Sequence, residues 1–163
     1  MRDRLIQPSK WSVWVEGQQW CADVGNDILF PGRIAAAARL FGVKGAGAAY
    51  NIIGIGTSDA PSTRLTQDLL EPLRLSATLF VRSTGTVVQA PGSSRIVITA
   101  VIDATTQLAP SLLSVGASHT KQLREAVLFA SLTGGAGLYR VIFPTALPIS
   151  GNNSLTIACA VDV

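Results

Sequence analysis

Apolar and polar positions alternate through the last ten residues of the chain. Leu155, Ile157, Cys159 and Val161 fall on one side, and Ser154, Thr156, Ala158 and Ala160 on the other. That two-residue period predicts a half-buried strand whose end is tied into a sheet. Two apolar runs precede it, L-R-E-A-V-L-F at 123–129 and L-Y-R-V-I-F-P at 138–144. They are set off by the turns T-G-G-A-G (133–137) and P-I-S-G-N-N (148–153). Gly134, Gly135, Gly137, Asn152 and Asn153 are the residues expected to supply left-handed backbone there.

The same period recurs upstream. In W-S-V-W-V-E, Trp11, Val13 and Val15 oppose Ser12, Trp14 and Glu16; Gly17 permits a turn, and Gln19 to Val24 return as a partner strand. Tyr50 to Gly56 forms a compact apolar strand that leads into T-S-D-A-P-S-T, a run of turn residues. Gln67 to Leu73 suits one helical turn before Pro72 stops it. Leu73 to Arg82 alternates, Val87 and Val88 begin a further short strand, and the turn residues Ala90-Pro91-Gly92 follow. Arg95 to Ile102 is β-branched on both faces, as expected of a strand covered on both sides. One stretch has a helical period. Pro31 suits a first helical position, Ala35 to Ala38 favour helix, and Ile34, Ala37, Ala38 and Phe41 share a face before Gly42. Residues 103–122 have no clear period and are expected to be an excursion between strands.

About seven or eight short strands with frequent turns and a single helix predict an all-β fold, a β-sandwich or jelly-roll-like domain with one short N-terminal helix. One domain is expected over residues 1–163, with the polar residues 1–10, including Pro8, as an N-terminal arm.

Composition shifts this picture toward assembly. Charged residues are 14% of the chain and apolar ones 48%, against about 25% charged in soluble proteins generally. So little charge covers a free monomer poorly and favours a homo-oligomer or a subunit docked on a larger body. The net charge is +3, and the 13 basic residues are scattered. Nucleic-acid binders show a basic stripe interleaved with aromatics, so no nucleic-acid partner is expected. Ile34 to Phe41 is too short to span a bilayer and holds Arg39, so no membrane partner is expected either. No secretory pattern follows Arg2, Asp3 and Arg4, which points to a protein made in a cytoplasm.

Candidate chemistry is sparse. His119 is the sole histidine. Cys21 and Cys159 match no ligand spacing, Cys159 reading as a small buried thiol, and the acidic residues form no calcium loop. G-I-G-T at 54–57 follows a strand but lacks the third glycine and helix start of a dinucleotide loop. Neither a P-loop nor a G-x-S-x-G elbow is present, and the Ser and Thr residues have no local base. The expectation is a non-enzymatic protein with no cofactor and no metal.

Two stretches together resemble small structural virion proteins of tailed bacteriophages. In Y-N-I-I-G-I-G-T-S-D-A-P-S-T-R-L-T-Q-D-L (50–69) a strand runs into G-x-G-T and then a loop with A-P. From Arg124 to Val161, an R-E-A-x-L-F strand leads to a glycine-rich loop, a Y-R-x-x-F-P strand and a final S-L-T-I strand. Residues 119–131 suit a helix by local propensity, but the resemblance implies a strand near 124–130. The 103–122 segment and the tryptophans near the start depart from the family's pattern. The resemblance implies a multi-copy capsid decoration protein or tail/fibre adaptor, acting by protein–protein contact with other virion proteins and with copies of itself, and residing in the virion after assembly in the host cytoplasm. The contact candidates are the arm (Arg2, Arg4, Ile6), the tryptophan hairpin (Trp11, Trp14, Trp20) and the 57–63 loop (Ser58, Asp59, Pro61). The alternative is a carbohydrate- or receptor-binding β-sandwich in which Trp14 or Trp20 stacks on a sugar.

Overall fold

The computed structural model describes residues 9–29, 49–63, 66–76, 78–113 and 121–162. They form two antiparallel sheets of five strands each. The first has the order β2 (Gln18–Gly25), β1 (Lys10–Val15), β10 (Leu155–Asp162), β7 (Arg95–Ile102) and β6 (Thr86–Gln89). The second has the order β3 (Asp27–Ile28), β9 (Tyr139–Ile149), β8 (Lys121–Phe129), β4 (Ile52–Gly56) and β5 (Arg82–Thr84).

The alternating pattern decides which residues go inside. In the first sheet Trp11 and Val13, then Leu155, Ile157, Cys159 and Val161, then Ile98, Ala100 and Ile102 are buried. They share one cluster with Ile53, Ile55, Leu128, Tyr139, Val141 and Phe143 of the second sheet. Burying a side chain of this size stabilises by about 1.5–3 kcal/mol each, which makes this cluster the main source of stability.

The second sheet is buried on its other face as well. Register places Ile52 beside Phe129 and Gly54 beside Val127. Ile52, Val127 and Phe129 pack with Leu29 and Leu69 in a separate small cluster. Leu69 belongs to the excursion between β4 and β5, so this outer face is roofed by the described residues of 57–80. At Gly85 one strand leaves the second sheet as β5 and joins the first as β6. A Cβ there would lie 2.7 Å from Ile98 Cγ2 and 3.1 Å from Thr99 O, so the corner is too tight for a side chain.

The N-terminal hairpin forms as expected. Its turn residues Glu16 and Gly17 have φ of 48° and 78°, the left-handed pair that a two-residue hairpin turn requires. Ser154 N donates to Glu16 Oε1 at 2.7 Å, which holds a non-glycine residue in that conformation. The strands over 95–102, 124–130 and 155–162 and the short one at Val87–Val88 are present too.

Other expectations are corrected. The described helix is not N-terminal: a single π-helical turn, Ala104–Leu108, runs into α1 (Ala109–Leu113) within the segment read as an excursion. Asp103 caps it, accepting from Thr106 N at 2.7 Å and from both threonine hydroxyls. The bond from the Thr106 amide, with those hydroxyls, holds its carboxyl below the usual carboxylate value. The predicted helix at 31–41 lies outside the described residues. Residues 67–73 form no helical turn; Leu69 and Leu73 are instead buried from irregular backbone. The strand expected over 73–82 is reduced to a tight reversal, with an Arg74–Phe80 bridge and Leu75 N bonded to Leu79 O at 2.7 Å. Gly134 and Gly135 take positive φ, but Gly137, Asn152 and Asn153 do not. Gly137 is needed for space, because a Cβ would strike the Val127 side chain.

Candidate functional site

Three buried charged side chains, Glu125, Arg140 and Arg82, lie beneath the 57–80 excursion. Glu125 on β8 and Arg140 on β9 point to the outer face of the second sheet, in the same layer as Val127 and Gly54. Their side chains are 0% exposed, and Arg140 Nε donates to Glu125 Oε2 at 2.8 Å. A buried ion pair is stable only when its remaining hydrogen-bonding capacity is used as well. Here the excursion uses most of it, although Arg140 Nη2 is buried without a partner. Glu125 Oε1 accepts from Glu71 N at 2.8 Å and Oε2 from Leu70 N at 3.2 Å. Arg140 Nη1 donates to Ala60 O at 2.9 Å and to Ser62 Oγ at 3.1 Å. Gly56 makes room: a Cβ at this position would run into the Glu125 carboxylate and lie 2.6 Å from Glu71 O.

Arg82 repeats the arrangement at the neighbouring corner. Its Nη2 donates to Asp68 at 3.0 Å, and Nη1 to Ser131 O and Gly134 O at 2.9 Å each. Its guanidinium carbon lies 3.6 Å from the Phe129 ring centroid, close enough for a cation–π contact. Burial pushes the Arg82 guanidinium down from its ordinary value, and Asp68 acts against that shift. Backbone bonds complete the attachment: Thr57 N to Glu71 O at 2.9 Å, Leu73 N to Ile55 O at 3.0 Å and Val81 N to Leu73 O at 2.8 Å. The excursion is therefore bound to the sheet at both ends and in its middle.

This lock fixes the predicted contact loop. Ser58 is buried, and its Oγ accepts from Ala60 N at 3.2 Å. Asp59 and Pro61 are exposed. Ser58 and Asp59 line an open depression of about 520 Å³ with Thr57, Glu71, Lys121 and Arg124. Two acids and two bases line it. Burial shifts the Lys121 ammonium down from its usual value. Among the described residues, no three His, Cys, Asp or Glu side chains gather as a metal site.

The tryptophans separate. Trp11 is fully buried, and its indole Nε1 donates to Ser9 Oγ at 2.9 Å, so this ring belongs to the core and not to a contact surface. Trp20 is half-buried and meets Phe143 edge to face, with ring centroids 5.8 Å apart. Trp14 is half-buried on the opposite face of β1 from Trp11. Arg2, Arg4 and Ile6, and also His119, lie outside the described residues. Ser9 does not: it is buried, and its N–H bonds Asn26 Oδ1 at 2.8 Å, so ordered structure begins before Trp11.

Sequence reasoning missed the lock. Arg140 is the sole charged residue of β9, and that was the available signal; Glu125 shares β8 with Lys121, Gln122 and Arg124, and Arg82 opens the polar β5. Strand periodicity puts Glu125 and Arg140 on one face, but their shared partner is a loop 54 residues away from Glu125 in sequence, which no local pattern shows.

No known protein family matches the chain, and no curated protein or solved structure matches it.

Proposed function

We propose that the chain is a non-enzymatic structural subunit of a tailed-phage virion, a multi-copy capsid decoration protein or tail/fibre adaptor that works through protein–protein contacts. The two sheets, which contribute to one core, are taken as the halves of a jelly-roll-like sandwich. The observation that carries the reading is how the buried charges are used. Glu125, Arg140 and Arg82 direct their hydrogen bonds at the backbone of the chain's own loops. Groups used this way hold a loop rigid and are not themselves free to act as a base or nucleophile. A rigid loop loses little entropy on docking, which favours affinity. The resemblance of residues 50–69 and 124–161 to virion proteins points the same way. Of the two tryptophans on which the carbohydrate reading rests, Trp20 is engaged by Phe143 and Trp14 is half-buried, so that reading has less support.

The test is co-sedimentation of the purified protein with particles of its source phage that lack it. Wild type is expected to bind saturably, and Asp59→Arg with Pro61→Gly to bind at least tenfold more weakly. Absence of binding, or turnover of a glycan or peptide substrate by the protein alone, contradicts the reading.

A further inference from the structure

The four sheet edges are not alike. An open edge invites pairing with another chain, and proteins blunt such edges with bulges, charges, short strands or covers. Edge β2 is irregular: its register against β1 shifts twice, and Asp23 sits there with φ of 53°. Edge β3 has two residues. Edge β5 has three, and Gln107 Nε2 caps its Arg82 carbonyl at 3.1 Å. Edge β6, four residues long, carries no bulge, charge or cover among the described residues. Thr86-Val87-Val88-Gln89 is regular and uncharged, pairs only with β7 among the described residues, and is exposed along its whole length. Val87 is 50% and Val88 59% exposed. The neighbouring β7, expected to be covered on both sides, leaves Val101 53% exposed.

We propose that β6 is a self-association edge. It pairs antiparallel with β6 of a second copy about a two-fold axis and joins the two first sheets into one ten-stranded sheet. The argument for a second copy as occupant is charge. At an isologous contact a strand meets itself, so any charged residue would face its own like charge or a close neighbour of it. Directly opposed residues share a sheet face, so Val88 meets Thr86 or Val88 according to register, and Val87 meets Val87 or Gln89. In neither register does a charge face a charge. β-branched residues also favour the paired conformation. Four residues a side make a small interface, below the size of a stable dimer, so association is weak in solution and is strengthened where many copies are held together.

The inference deepens the structural-subunit reading by naming one of its partners, and it is tested without particles. Sedimentation velocity of the full chain is expected to show a reversible monomer–dimer equilibrium at concentrations up to about 1 mM. Val88→Lys places ammonium groups across the axis and is expected to weaken dimerisation at least tenfold. Gln19→Lys on the β2 edge is expected to change it less than twofold. Circular dichroism checks folding, and Thr86→Lys substitutes if Val88→Lys does not fold. A monomer throughout that range, or a dimer indifferent to Val88→Lys and Thr86→Lys, overturns the proposal. Failure here leaves particle binding through the 57–63 loop standing, and failure of particle binding leaves the β6 dimer standing.

Discussion

Replacing Arg140 by Met removes one half of the buried lock. The Glu125 carboxylate then keeps two backbone donors, Glu71 N at 2.8 Å and Leu70 N at 3.2 Å, and loses its countercharge at zero side-chain exposure. Breaking a fully buried pair from one side costs about 3–5 kcal/mol. The freed Ala60 carbonyl belongs to an exposed residue and can turn to water, so it adds little. Against a total stability of about 5–15 kcal/mol the loss is a fifth or more. At about 2–4 °C per kcal/mol, the thermal midpoint should fall by roughly 6–20 °C. The double variant Glu125→Leu with Arg140→Met separates charge from attachment. An apolar pair of similar volume is often as stable as a buried ion pair. Here it leaves the amides of Leu70 and Glu71 without an acceptor; both residues are exposed, so each amide costs up to about 1–3 kcal/mol and less where water replaces the carboxylate. The double variant is therefore expected to remain less stable than wild type, or to release the excursion into water. Urea denaturation gives the energies, and hydrogen exchange at Leu70 and Glu71 reports the release. The reasoning fails if Arg140→Met lies within about 1 kcal/mol of wild type, or if the double variant matches wild type with both amides still protected.

Three further outcomes are expected. Gly56→Ala pushes a methyl group into the Glu125 carboxylate and Glu71 O; overpacking of this kind costs about 1–3 kcal/mol, read by urea denaturation, and an unchanged midpoint would show that the site yields. Burial pushes the Cys159 thiol up to about 12, so the fold favours the neutral form; its contribution is complete below the unfolded value of about 8.5 and is lost as pH rises toward 12. At pH 8 a disulfide reagent should label Cys159 only after denaturation, and rapid labelling of the native protein refutes this. Deleting residues 1–8 should leave the melting temperature within a few degrees of wild type, whereas deleting 1–10 should lower it further, because Ser9 anchors Trp11 Nε1 and Asn26 Oδ1; equal melting temperatures would contradict the anchoring.

Strands were legible where one face alone is buried. Leu155, Ile157, Cys159 and Val161 alternate with smaller residues, and the structure buries all four. The hairpin at Trp11–Val24 was legible for the same reason, with Gly17 marking its turn. Legibility ended where tertiary contacts replace period. Residues 67–82 look like a helical turn followed by a strand, but bonds to Glu125, Ile55 and Arg82 pull them into an irregular roof. Asp103 caps a helix in a segment with no apolar stripe, because the helix is only five residues long and follows a π-turn. The β-branched faces of Arg95–Ile102 suggested cover on both sides; the second face is only partly covered, with Val97 and Thr99 half-buried and Val101 exposed. At the candidate site, the exposure of Asp59 and Pro61 followed from turn composition, but the ion pair beneath them did not.

The central proposal, that this chain is a repeated structural part of a phage particle, is tested most directly by counting its copies in gradient-purified particles from a lysate of its source with quantitative mass spectrometry. The account predicts the protein in every preparation, at a copy number set by particle symmetry and retained through gradient purification. Its absence from the particles, with the protein found free in the lysate, would contradict the claim.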